Sequence, residues 1–277
     1  MKYRPIVPYI LLRQFVRSVS VDGLLGAIGG SCRHVFRSLG KYGFKGAFKV
    51  FFRKAPASPQ DSTTEQPHPF DLLHGTDTGG PMSGAYYSAI SLSSIYTTGY
   101  VGATPSALTQ ALSALLLRQE DFTFVDVGCG KGRALLIAAR FPFRHLVGVE
   151  LSSELCDTAR ANVAANPDLA SRITILNEDA TRVVYPEGPL LLFLANPFLA
   201  PILRRALQNI ERQLRPSPRP TWLLYEMNPH YEDVLDSFPF LKEISDTTYP
   251  FSEEDAAFDP MSRTEESFTL YFVDLSG

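Results

Sequence analysis

The stretch that decides the fold is "FTFVDVGCGKGRALLIAAR", from Phe122 to Arg140. An apolar run stops at three alternating glycines, Gly128, Gly130 and Gly132, and a pattern of helical period follows. A strand that turns through glycines into a helix carries its backbone N–H groups close to a ligand. The neighbouring side chains must then say which ligand.

The flanking sequence repeats the alternation. "HLVGVEL" precedes a helix from Ser152 to about Ala165, and "ITILNED" is followed by a connection to "LLLFLAN". The next helix sets Leu199, Ile202, Leu203, Ala206, Leu207, Ile210 and Leu214 on one face, with Arg204, Arg205, Glu211 and Arg212 off it, and leads to "TWLLYEM". Upstream, "GATPSALTQALSALLLRQ" opens a helix: Thr104 suits the cap, Pro105 the first turn, and Leu108, Leu112 and Leu115 or Leu116 form a face. Apolar strands alternating with helices predict an α/β fold whose mostly parallel sheet is covered on both faces. "FLKEISDTTY" and "SFTLYFVDL" read as two strands joined by an acidic loop without a helix, the last pairing antiparallel at the far side of the sheet.

The 277 residues are 45% hydrophobic and 20% charged, a soluble globular composition with room for a large core. Cys32, Cys129 and Cys156 lack ligand spacing, so neither a disulfide framework nor a metal site is expected, and a cytoplasmic setting is the simplest. The net charge of -3 hides an asymmetry: residues 1–60 hold 11 of the 26 bases and only one acid, Asp22. Residues 1–54 read as a basic, aromatic helical arm, with Lys41, Lys45, Lys49 and Arg53 beside Phe44, Phe48 and Phe52. Packing on the main domain and contact with an anionic membrane surface or a nucleic acid are both open for that arm, the former with more weight. Residues 55–70 read as a Pro/Ser/Thr linker and 71–103 as a loop-rich cover or lid. No run is long enough for a transmembrane segment, and no signal peptide is read.

The glycine turn can be tested against three ligands. A phosphate loop needs GxxxxGK followed by Ser or Thr, but Gly132 follows Lys131 and no glycine precedes Gly130 at the required distance. A dinucleotide turn needs a small residue where Arg133 stands. Asp126, before the turn, would repel a phosphate and favour a ligand with a positive amino-acid end; S-adenosylmethionine has an ammonium and a sulfonium and no phosphate. Glu150, about twenty residues on, can accept both ribose hydroxyls.

"VDVGCGKG", "VGVELS", "NEDA" and "FLANPF" resemble, in order and spacing, the motifs of class I S-adenosylmethionine-dependent methyltransferases, over roughly Thr104 to the C-terminus. "HGTDTGG" and "YVGATPS" further resemble a bacterial subgroup related in pattern to the non-SET histone-lysine methyltransferases. The resemblance implies a Rossmann-like sheet of seven strands, S-adenosylmethionine as cofactor and methylation as activity. It also implies that Asp126, Gly128, Cys129 and Gly130 border the methionine end and Glu150 the ribose, while Asp179 and Ala180 border the adenine. Asn196 would face the methyl group, and Thr104 would reach the cofactor carboxylate. Cys129 is read as a packing residue, and Lys131 and Arg133 as solvated or on the cofactor rim.

Asn196 and His230, the latter beside Glu226 and Tyr231, are the candidate catalytic residues, but Phe198 stands where the amino-methylating subfamilies have a second proline. The acceptor, whether protein, small molecule or nucleic acid, is open. A non-catalytic adenosyl-ligand-binding or adaptor module using the basic arm is the alternative.

Overall fold

The computed structural model describes residues 67–80, 99–226 and 232–276. The basic arm, most of the linker and His230 with Tyr231 lie outside the described residues.

The core is one sheet of seven strands: β1 (Thr123–Val127), β2 (His145–Glu150), β3 (Ile173–Asn177), β4 (Leu190–Ala195), β5 (Thr221–Glu226), β6 (Leu241–Pro250) and β7 (Glu265–Val273). Their spatial order is 3-2-1-4-5-7-6. The first five strands run parallel to one another, while β7 pairs antiparallel with both β5 and β6. The last strand is thus antiparallel as the sequence led us to expect, but it sits inside the sheet, with β6 at the edge.

The apolar runs of β1 and β4 are buried along both faces, as a central parallel strand requires. On one face Val125, Leu192, Leu223 and Tyr225 pack against Ile202, Leu203, Ala206, Leu207 and Ile210 of the helix Ala200–Leu214. On the other, Phe124, Phe193 and Leu224 pack with Leu108 and Leu112 of the helix Pro105–Ser113 and with Leu135 of the short helix Arg133–Ala138. Phe124 lies between Phe143 and Phe193, with ring centroids 5.4 and 5.8 Å away.

The structure departs from the sequence reading at three places. Thr104 stands at the cap of Pro105–Ser113, but its hydroxyl makes no capping bond. The Ser106 N–H donates instead to the carboxylate of Asp255, 2.7 Å away. Asp255 belongs to a helix, Glu253–Phe258, inside the acidic loop that was expected to have none. A further helix, Pro69–His74, starts within the expected linker, and His68 Nδ1 accepts the Phe70 N–H.

Neighbouring strands diverge at β1, where the chain runs to β2 on one side and β4 on the other. In an open α/β sheet this reversal opens a crevice beyond the carboxyl ends of the strands. The glycine turn follows β1 and therefore lies in it.

Candidate functional site

All three glycines of the turn hold positive φ: 94° at Gly128, 52° at Gly130 and 85° at Gly132. Side chains are strained there, and space is also missing at the first two: a Cβ on Gly128 would run into Pro197, and one on Gly130 into the Tyr100 ring. The turn is thus pinched between the loop after β4 and the segment leading to Thr104.

Glu150 fixes the turn from the side. Its carboxylate accepts the Gly130 N–H at 3.0 Å and the Ser152 N–H at 2.8 Å, so one buried group joins the turn after β1 to the turn after β2. Burial raises its pKa, and the two N–H donors partly offset that rise. Asp126 is different. It is 3% exposed and no described residue donates a hydrogen bond to it. Burial, with the Glu150 carboxylate nearby, pushes its pKa up to about 8. A buried carboxylate without donors is a demand for a positive partner.

The cleft around these groups encloses about 760 Å³, part of it open to solvent. Asp126, Gly128 and Cys129 line it near the turn, Val149, Glu150 and Leu151 beside β2, and Glu178, Asp179 and Ala180 after β3. Tyr100, Gly102 and Arg133 form another wall, and Ala195, Pro197 and Phe198 close the β4 end. Of the residues expected here, Thr104, Gly130 and Asn196 do not line the cleft, although Gly130 is bonded to Glu150 and Asn196 adjoins Ala195 and Pro197.

Asp179 shapes its own turn: Oδ1 accepts from the Thr181 N–H and hydroxyl at 2.9 and 2.7 Å. Asn209, buried on the helix Ala200–Leu214, donates to the carbonyls of Ala180 and Val183 and so holds the far side of that loop. Cys129 is buried, and burial drives its thiol pKa well up, which suits a packing residue. Asn196 adopts φ 46°, and its Oδ1 accepts the Tyr225 hydroxyl at 3.0 Å, a side-chain partner the sequence did not disclose.

Side chains two apart on a strand share a face, so Asp126, Ala195 and Glu226 follow Phe124, Phe193 and Leu224 onto one side of the sheet. Glu226 ends β5, and burial and the Glu266 carboxylate raise its pKa.

Lys131 and Arg133, expected to be solvated or on the cofactor rim, are both buried, and Arg133 also lines the cleft. Lys131 Nζ donates to Asp77 Oδ1 and the Gly79 carbonyl, both at 2.7 Å. Arg133 Nε donates to the Thr78 hydroxyl at 2.7 Å. Asn162 completes the clasp: its side chain bonds the Asp77 N–H and carbonyl and the Lys131 carbonyl. Residues 70–80 thus lie as a strap over the turn, and they account for the burial of both bases. Asp77 and Asp71 in the upstream segment were the only signal, and nothing local to it names their partners.

A Rossmann-like sheet with its cleft at the strand reversal, lined by a glycine turn and an acidic residue on each of two adjacent strands, is the arrangement that the resemblance to class I S-adenosylmethionine-dependent methyltransferases implies. Residues 124–217 match the family model described as a methyltransferase domain. The ribosomal protein L11 methyltransferase of Legionella pneumophila (strain Lens) is 28% identical over 149 residues, which cover 52% of this chain and 49% of that protein. The protein-lysine N-methyltransferase of Saccharolobus islandicus (strain REY15A) is 29% identical over 125 residues, covering 43% of this chain and 72% of that protein. The chain therefore spans about half the length of the Legionella relative. Among solved structures, a methyltransferase from Geobacter sulfurreducens in complex with S-adenosyl-L-homocysteine aligns with TM-score 0.42 and 15% identity over 61% of this chain and 90% of that one. Among the described residues no group of His, Cys, Asp and Glu could hold a metal ion, and no helix is long and apolar enough to cross a membrane.

Proposed function

We propose that the chain transfers a methyl group from S-adenosylmethionine to a nitrogen acceptor on a protein. The observation that carries the reading is Asp126, a buried carboxylate to which no described residue donates a hydrogen bond, in a cleft whose glycines hold it open to a ligand.

The residues fit this donor. Asp126, Gly128, Cys129 and Gly130 border its amino-acid end, Glu150 retains acceptor capacity for the ribose hydroxyls, and Asp179 and Ala180 flank the adenine. The donor, when bound, supplies an electrophilic methyl group on a sulfonium. The chain's task is then positional: Pro197 and Phe198 exclude water at the β4 end, and the acceptor must come within ~3 Å of the methyl along the line of displacement.

An amine acceptor must arrive unprotonated. Glu226, raised by burial and on the same sheet face as Asp126, is the described group at the β5 end able to take its proton. Asn196 keeps its proposed place at the methyl end, and His230 stays a candidate base. The names of the two relatives, acting on a ribosomal protein and on protein lysine, support a protein nitrogen. The basic arm of residues 1–54 would bring an anionic partner such as a nucleic acid or membrane surface alongside.

Two measurements test this. S-adenosylmethionine and S-adenosylhomocysteine, but not NAD or ATP, should raise the melting temperature. Radiolabelled methyl groups should then enter the protein fraction of a cell extract. No shift with any adenosyl ligand overturns the cofactor assignment, and label confined to RNA or small molecules overturns the acceptor.

A further inference from the structure

The helix Ala200–Leu214 packs its apolar residues on the sheet, and its outer face is mostly arginine. Arg204, Arg205, Gln208 and Arg212 are exposed, as is Arg215 at the C-cap. At ~100° and ~1.5 Å per residue these positions fall within about 100° of arc, and Arg204 to Arg215 spans about 16 Å of the axis. They form one row. Arg182 stands beside it, with its side chain 80% exposed, in a loop that Asn209 ties to the helix through the carbonyls of Ala180 and Val183.

The row is poorly neutralised. Glu211 is the single acid against five arginines between residues 199 and 220, and it pairs with Arg215 at 2.7 Å. Among the described residues no carboxylate lies within ion-pair distance of Arg204, Arg205 or Arg212. Arg204 instead donates to the Ser237 hydroxyl at 2.8 Å and lies 5.9 Å from the centroid of the Phe238 ring, while Arg212 donates to Asn209 Oδ1 at 2.6 Å. The rest of the chain is the reverse: outside residues 1–60 and 199–220 there are 10 bases and 27 acids. A surface charged only for solubility mixes its signs. Arginines gathered on one helix of an otherwise acidic body are the footprint of an anionic partner.

Three features identify the anion. Each base in the row is arginine, whose planar fork of donors matches phosphate oxygens in pairs. No member of the row is apolar, and Val184 in the neighbouring loop is a single exposed apolar residue, so the surface has little to bury in a bilayer and lacks the apolar centre of a protein interface. The row is also single, so it follows one backbone rather than the two that border a groove, and its length covers about five phosphates at ~3.4 Å each. We propose that Arg204, Arg205, Arg212 and Arg215, with Arg182 at the flank, bind the phosphate backbone of a single-stranded RNA segment, the form in which RNA presents its loops and ends. Ile202, in the first turn of the same helix, lines the cleft, so the Arg204 end of the row starts at the cleft rim. The inference goes beyond the proposed reaction and does not depend on its acceptor.

The test is fluorescence anisotropy of a labelled oligouridine titrated with the full chain at several salt concentrations between ~50 and ~200 mM. The logarithm of the association constant should fall linearly with that of the salt. The triple variant Arg204→Gln/Arg205→Gln/Arg212→Gln should reduce the slope by about 2, at ~0.7 per phosphate contact, and weaken binding about 100-fold at ~0.1 M salt. Arg204→Lys/Arg205→Lys/Arg212→Lys should keep the slope while losing part of the affinity, which separates charge from a defect of folding. Arg118→Gln, at an exposed arginine outside the row, should change neither. A triple glutamine variant with the unmodified slope would place the binding in residues 1–54 and overturn the assignment. So would an unmodified protein that leaves oligouridine unbound, or that binds duplex DNA, phosphatidylserine vesicles or polyglutamate as tightly.

Discussion

If Asp126 takes the donor's α-ammonium as proposed, donor binding should release a proton. In the free protein its pKa is pushed up to about 8, chiefly by burial and then by Glu150. Below that pH the carboxyl is protonated, whereas an α-ammonium pairs with the ionised form. Each unit of pH between 6 and 7.5 should therefore tighten S-adenosylmethionine binding about tenfold, equivalent to about 1.4 kcal/mol. The gain should stop near pH 8, where Asp126 is ionised in the free protein and the ligand's own α-amino group, at ~7.7–8.0, begins to lose its proton. Isothermal titration at pH 6.5 in two buffers of different ionisation enthalpy should report release of about one proton per ligand bound. Asp126→Asn should abolish both the release and the pH slope while weakening binding at pH 8. A dissociation constant that stays flat between pH 6 and 8, or an undiminished slope in Asp126→Asn, would refute the reasoning.

The same shift carries a stability signature. A folded pKa raised above the unfolded value means that the folded state holds the extra proton between about pH 4 and 8, so the ligand-free protein should melt progressively lower across that window, and Asp126→Asn should flatten the trend in a scanning measurement. Gly130→Ala should cost about 1–3 kcal/mol through its positive φ, with more for displacing the Tyr100 ring; urea denaturation reads the loss, and a neutral result would mean that the turn relaxes freely. Asp255→Ala should cost about 1 kcal/mol by removing the acceptor for the Ser106 N–H, and an unchanged unfolding midpoint would show that the cap is redundant.

The sequence disclosed the parts whose physics is local. Alternation of apolar runs with helical periods placed β1 to β5 and the helix Ala200–Leu214, and the charges of Asp126 and Glu150 selected the ligand among glycine-turn alternatives. What it concealed depends on residues far apart in the chain. Arg133 looks solvated until Asp71 and Thr78 fold over it, and the Asn196 amide meets Tyr225 only once β4 and β5 are side by side. Thr104 has the right residue type for a cap, yet Asp255 reaches the helix first. The helix Glu253–Phe258 did have a signature: Ser252 accepts the Asp255 N–H, and three acids crowd the first turn. Reading the acidic run as a loop overlooked that charge near a helix start is stabilising.

The place of β7 between β5 and β6 has a consequence for synthesis. β6 leaves the ribosome before β7, but it pairs only with β7, and β5 gains its second neighbour only from residues 268–272. Until then the row of N–H and C=O groups from Trp222 to Glu226 is an open edge, able to recruit strands from other nascent chains. The sheet can be completed only once β7 has emerged, so slowing translation between β6 and β7 should prolong the interval in which the chain depends on a chaperone.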